Sequence, residues 1–159
     1  MKKLFTVIAI GVLLTSCGEK KTEKTTSEPI KVEQTKQTPE VSPETTKSVI
    51  EHHLQAFGKG DMKALLEDYT EESVVITPEA KLKGLAQIEE LFTKLGSMFP
   101  AEGTKFNLIR MDIENELGYI IWDAQTPIVN IPLGTDTYIV EDGKIMVQTF
   151  AAKVEMVTK

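Results

Sequence analysis

Apolar side chains change their spacing several times along this chain. From Leu4 to Leu14 they run almost unbroken behind Lys2 and Lys3, and then they nearly vanish, with only three aliphatic side chains, Ile30, Val32 and Val41, between residues 18 and 47. Helical spacing follows: Val49, Ile50, His53, Leu54 and Phe57 share one face. Ser42, Pro43 and Glu44 precede it with an N-cap, a proline suited to the first turn and an acid near the positive helix end. Gly58 and Gly60 provide a stop, and Asp61 caps a second, shorter helix with Met62, Leu65, Leu66 and Tyr69 inward. Ser73 to Thr77 predicts a short β-branched strand ended by Pro78. Gly84 opens a third helix, whose stripe of Leu85, Ile88, Leu91, Phe92, Leu95, Met98 and Phe99 runs up to Pro100 and reads as core packing against a sheet.

From Thr104 the apolar period falls to two, predicting strands over 104–115, 118–126, 130–141 and 144–156. Asn115 to Gly118 and Asp142-Gly143 supply hairpin turns, the second suited to type I′, and Pro127 and Pro132 bracket the middle connection. Helices first and a four-strand meander last predict an α+β layer fold. A strongly curved sheet folded over the long helix would leave a cone open at one end.

At 159 residues the chain has room for one domain with extensions. Hydrophobic residues at 41% and charged residues at 26% suit a soluble globular protein and exclude a polytopic membrane protein or a collagen-like chain. The N-terminus departs from that average. Two lysines, a short apolar run and small residues follow the order of a secretory signal peptide, and the run falls short of the roughly 20 residues needed to span a bilayer. Leu14-Thr15-Ser16-Cys17 resembles the bacterial lipobox, whose cysteine becomes the first mature residue and carries a diacylglycerol thioether and an N-acyl chain. A chance cysteine in an ordinary signal is the alternative. Cys17 is the single cysteine, so no internal disulfide can form.

Residues 18–47 balance six lysines against six glutamates among threonines and prolines, a composition that builds no core and reads as a tether. The expected organisation is a lipoprotein signal peptide at 1–16, a lipidated cysteine and disordered tether at 17–43, and a folded domain at 44–159. Residues 48–159 hold 10 Lys plus Arg against 18 Asp plus Glu, a net charge of −8 that repels phosphate backbones and anionic lipid. Nucleic acid is excluded as a partner, and contact with membrane is expected through the N-terminal lipid alone. The expected location is the bacterial cell envelope, on the outer membrane facing the periplasm.

Several short motifs in this order resemble the nuclear transport factor 2 superfamily, in its SnoaL-like and ketosteroid-isomerase-like branch. Their carriers are residues 54–61 at the first helix end, 69–74 entering the first strand, Lys83-Gly84 with Ile88 and Phe92, and 136–145 in the last hairpin. The resemblance implies a cone-shaped fold over residues 44 to 156, with three N-terminal helices packed on a strongly curved, mainly antiparallel sheet. It also implies a homodimer paired through the outer sheet face. Isomerases, cyclases, dehydratases, transport adaptors and inert modules share this fold, so function must be argued from the site.

Ketosteroid isomerases place an aspartate base on the first strand, and a tyrosine with a protonated aspartate on the enolate oxygen. By register with that family, His53 stands where the first-helix tyrosine would be, Thr77 where the base would be, and Asp136 at the hairpin aspartate. Threonine cannot shuttle a proton near neutral pH, which removes that mechanism in its usual form. Asp136 remains the leading candidate, because a carboxylate pointing into an apolar cone titrates above about 3.9, unless a charged His53 reverses the sign. Its structural alternative is a role at a strand end, satisfying backbone amides.

Alternation places Tyr138 and Val140 on the face of Asp136, and a plain two-residue hairpin sets Thr149, Val147 and Ile145 opposite them. Trp122 and Asp123 point to opposite faces of their strand, so one enters the cone and the sequence leaves the choice open. His52 lies about 100° round the helix from His53, and no metal-ligand spacing occurs. Neither a metal nor a cofactor is expected. The candidate site is therefore Asp136 and His53 as tentative catalytic groups, with Thr77, Trp122, Asp123, Tyr138, Val147 and Thr149 around a ligand. The first functional reading is a tethered, non-catalytic module for a small, largely apolar molecule. The second is a cofactor-independent isomerase, cyclase or dehydratase using Asp136, and the third is an envelope protein-interaction domain.

Overall fold

The computed structural model describes residues 42–157. The expected signal peptide, the lipid site Cys17 and the tether up to residue 41 lie outside the described residues. Helix α1 spans Pro43–Lys59, with the Ser42 hydroxyl accepting from the Thr45 amide and Pro43 in the first turn. It runs through Gly58 and stops at Gly60, whose left-handed backbone (φ 66°) brings its N–H to the carbonyls of Ala56 and Phe57. Asp61 caps α2 (Met62–Glu67) by accepting from the Ala64 amide at 3.0 Å.

Strands β1 (Val74–Ile76) and β2 (Lys81–Lys83) form a small hairpin before α3 (Leu85–Gly96). Sequence patterning missed β2, because Lys-Leu-Lys is too short to display a period. Helix α3 ends at Gly96 rather than near Pro100. The next residues tighten into single turns, with Met98 N–H on Leu95 O and Phe99 N–H on Gly96 O, and Met98 and Phe99 still reach the core.

Four long strands complete the sheet: β3 (Lys105–Glu114), β4 (Leu117–Gln125), β5 (Val129–Glu141) and β6 (Lys144–Met156). The order is β2-β1-β6-β5-β4-β3, antiparallel except where β1 runs parallel to β6. Asp142 (φ 52°) and Gly143 (φ 71°) take the positive φ pair that a type I′ turn needs. The expected arrangement is the one observed, with helices N-terminal to a curved, mostly antiparallel sheet.

The curvature has identifiable sources. Register shifts fall at Ile109 in β3, at Pro132–Leu133 in β5 and at Met146 in β6, and each extra residue bends its strand. Pro132 is tolerated inside β5 because it sits at such a bulge. The shift at Met146 matters most. Val140 pairs with Ile145 next to the turn, but Ile139 pairs with Val147, so Tyr138 faces Gln148 and Asp136 faces Phe150. A plain hairpin would have set Val147 and Thr149 there, and one extra residue inverts the face of everything beyond it. Its place is set by neighbouring segments, since Ile145 N–H donates to Asp68 O and the Ser73 hydroxyl donates to Ile145 O at 2.6 Å.

The helices close one side of the bend, burying Ile50, Leu65 and Ile88 against Val75, Ile120, Tyr138 and Ile145. Each fully buried aliphatic side chain contributes about 1.5–3 kcal/mol. Gly134 on β5 lies under the Trp122 indole, where any Cβ would overlap the ring. We expect Gly134→Ala to displace the indole and lower stability by about 1–3 kcal/mol in urea denaturation, with a shifted emission maximum for Trp122. Unchanged stability and emission would mean that this close approach is not needed.

Candidate functional site

The concave face of the sheet and the helices bound a partly open cleft of about 90 Å³. Its wall is dominated by aromatic and aliphatic side chains from α1, α3 and the long strands, among them Phe57, Phe92, Phe99, Phe106, Trp122 and Phe150. Five lining residues carry a polar atom: His53, Trp122, Asp136, Tyr138 and Gln148.

Strand alternation delivers Asp136 to the cavity from the middle of β5, not from a strand end. Its Oδ2 accepts from Trp122 Nε1 at 2.6 Å, and its Oδ1 accepts from Gln148 Nε2 at 2.8 Å. The partners come from the strands on either side. Gln148 Oε1 in turn accepts from the Tyr69 hydroxyl, and that hydroxyl lies 3.4 Å from His53 Nδ1. His53, on the buried face of α1, is ringed by Tyr69, Phe92 and Tyr138 with centroids 5.4–5.8 Å away. The cavity thus brings His53 and Asp136 together, linked through Tyr69 and Gln148.

The other expected residues divide. Trp122 and Tyr138 line the cavity. Asp123 does not, because the pleat turns it to the other face of β4, where it accepts from Asn107 Nδ2 at 3.0 Å. Thr77 is turned away as well, its hydroxyl holding the β1–β2 turn by accepting from the amides of Glu79 and Ala80. Val147 and Thr149 face outward beyond the Met146 bulge, and Gln148 and Phe150 replace them. Gln148 and the hydroxyl of Tyr69 are site groups that sequence reasoning missed. Finding Gln148 required the bulge, which leaves no mark in the apolar pattern, although Tyr69 was already placed inward.

Behind this chain, His52 Nδ1 lies 2.7 Å from Asp68 Oδ1, while Asp68 Oδ2 is buried without a hydrogen-bond partner, 4.0 Å from His53 Nδ1. Among the described residues no three His, Cys, Asp or Glu side chains converge as metal ligands.

Burial pushes the Asp136 carboxyl up to about 6, against the interactions with Trp122, Gln148 and Tyr138 that pull it down. Burial also holds the His53 imidazole down at about 3, with His52 adding to the effect, so His53 is neutral. Asp68 is raised, chiefly by burial, and its bond with His52 opposes the shift. Burial lifts both Tyr69 and Tyr138 well above the ordinary phenol value.

These shifts have opposite signs in stability. Below about 3.8 Asp136 is protonated in folded and unfolded chains alike, so its burial penalty grows as pH rises from 3.8 and is complete above about 6, at about 3 kcal/mol. For His53 the unfolded imidazole takes up a proton below 6.5 that the buried ring refuses until about 3, so stability falls as pH drops through that window. Each slope is about 1.4 kcal/mol per pH unit, and between pH 4 and 6 they oppose one another. Asp136→Asn should remove the compensation, so its stability falls more steeply than the wild type's from pH 6 to 4, by about 1.4 kcal/mol per unit. Slopes are compared rather than levels, because an amide leaves one neighbouring donor unmatched. Urea denaturation across this range checks it, and parallel curves would refute the raised carboxyl.

The profile of the SnoaL-like domain family matches residues 50–148. No curated protein matches significantly. Among solved structures, a nuclear transport factor 2-like protein of unknown function from Mesorhizobium loti is 22% identical, with a TM-score of 0.59 over 70% of this chain and 93% of the other. A Kribbella flavida protein provisionally named a ketosteroid isomerase is 13% identical, with a TM-score of 0.58 over 73% and 82%. A de novo designed protein with a curved β-sheet is 11% identical, with a TM-score of 0.61 over 70% and 88%. At these identities the likeness is one of fold.

Proposed function

The chain belongs to the SnoaL-like domain family, and on that premise we propose that it is a cell-envelope lipoprotein whose domain holds a small, largely apolar ligand in the cone without transforming it. The observation that carries this reading is the engagement of the cavity's polar groups with one another. Both carboxylate oxygens of Asp136 already accept a hydrogen bond, and Gln148 spends its amide on Asp136 and Tyr69. Position 77, where the isomerase resemblance puts the base, holds a threonine committed to a turn. What remains is a mostly aromatic wall suited to binding.

The tether and lipid follow from Leu14-Thr15-Ser16-Cys17 behind the apolar run. Two or more acyl chains anchor durably, because each buried methylene contributes about 0.8 kcal/mol. Metabolic labelling with a fatty-acid analogue should mark the wild type and leave Cys17→Ala unmarked. Equal label in both would remove the anchor. Native mass spectrometry of protein from its own host should show a retained apolar molecule, and a consistently empty domain would count against the binding reading.

One observation favours a catalytic reading in second place: a carboxyl raised to about 6 inside an apolar cavity is poised to exchange a proton near neutral pH. The two readings separate in Asp136→Asn once a ligand is in hand. Turnover lost with binding retained would establish the enzyme, in which Asp136 acts as acid or base. The module reading expects no conversion by either form.

A further inference from the structure

The cavity carries a charge that its own walls leave unbalanced. Asp136 is buried among lining residues that include neither lysine nor arginine, and its two close partners, Trp122 and Gln148, are neutral donors. With the Tyr138 hydroxyl, also neutral, they occupy at most three of the roughly four lone-pair positions of a carboxylate, so it can still accept from a ligand. Aromatic rings make much of the surrounding wall. Phe106 lies against Trp122 at 5.5 Å between centroids, with Phe99 at 6.4 Å on the same indole. Aromatic faces carry the negative part of the ring quadrupole and attract cations, and the attraction grows when the cation is desolvated.

Apolar lining continues to the surface, with Phe106 44% and Val154 50% exposed, so a hydrocarbon chain can follow it out of the cavity. Residues 48–159 as a whole carry −8, which raises the local concentration of cations and lowers that of anions.

We propose that this cavity takes an amphiphilic organic cation, an ammonium group on an apolar chain, with Asp136 as its counter-charge. The proposal rests on the ligand-binding reading and narrows it to a chemical class. A fatty acid of the same length would bring its carboxylate against Asp136, and a fatty alcohol would gain the hydrogen bond without the ion pair. Like charges repel and unlike charges attract most strongly where water is excluded, so the order of affinity should follow the head group.

Trp122, the single tryptophan of the chain, lines the cavity beside Asp136 and reports occupancy through its fluorescence. Decylammonium, decanol and decanoate, titrated below their aggregation limits at neutral pH, share a chain and differ in head group. Decylammonium should bind about tenfold tighter than decanol or better, with decanoate weakest. The preference should survive about 0.5 M salt, which screens the acidic surface far more than a buried pair. In Asp136→Asn, with folding confirmed by its urea transition, the ratio of decylammonium to decanol affinity should shrink to within about threefold. Decanol binding as tightly as decylammonium would overturn the proposal and leave an apolar-ligand module standing, as would a preference lost in salt. A preference kept in Asp136→Asn would overturn the role of the carboxylate. If none of the three binds to wild type, the binding reading falls with the proposal.

Discussion

The Asp136 carboxylate is held inside an apolar cavity by two neutral hydrogen-bond donors, and much of the local structure is what that arrangement requires. Trp122 reaches it from β4, which is possible because Gly134 leaves room for the indole on the neighbouring strand. Gln148 reaches it from β6, which is possible because the extra residue at Met146 turns position 148 inward. Tyr69, at the end of the α2 segment, donates to the amide oxygen of Gln148 and so turns the amide nitrogen toward Asp136. Two strands, a bulge and a helix end therefore converge on one side chain. A buried carboxylate missing any of these contacts would meet the full cost of an unsatisfied charged acceptor.

His53 belongs to the same cluster but meets its burial differently. It is neutral and ringed by three aromatic side chains, and its Nδ1 lies 3.4 Å from the Tyr69 hydroxyl and 4.0 Å from the unpartnered Asp68 oxygen. The separation of the two pKa values is what a proton-transfer pair would also show, yet Tyr69 and Gln148 stand between the groups. An amide side chain positions neighbours readily and passes protons poorly, so the intervening Gln148 favours a fixed polar floor over a relay.

Most of the fold could be read from spacing, because the apolar period changes sharply at Thr104 and because Ser42, Gly60, Asp61 and Asp142-Gly143 mark element ends with residues whose chemistry demands those positions. The errors share a cause. Helix α3 stops four residues short of Pro100, yet Met98 and Phe99 stay inward in single turns, so burial imitated a helical stripe. Strand β2 exists because β1 pairs with it, not because of its own pattern. Strand parity and register with the family place Asp136, His53 and Tyr138 but leave Trp122 and Asp123 undecided, whereas one unseen bulge puts Val147 and Thr149 on the face opposite to the one that parity gives them. Period-two reasoning holds only between bulges, and the bulge at Met146 is set by Asp68 and Ser73, more than 70 positions away in sequence.

A designed protein with a curved β-sheet is similar in fold, and one fold carries many functions, so the cone alone does not give this chain its role. The distinction must therefore lie in what this chain adds to the cone. A sheet of this shape can close over aliphatic side chains alone, and for stability at neutral pH it would do better to do so, since Asp136 is buried at a cost of about 3 kcal/mol above pH 6. A carboxylate kept there without a cation is the feature least accounted for by folding. Asp68 differs, since His52 holds one of its oxygens and only the other is buried without a partner. Both lie on the cluster that runs from half-exposed His52 to the cavity wall. What this chain adds to the shared fold is accordingly this polar seam between α1 and β5–β6, carried by His53, Tyr69, Gln148 and Asp136 inside the curvature that contains it.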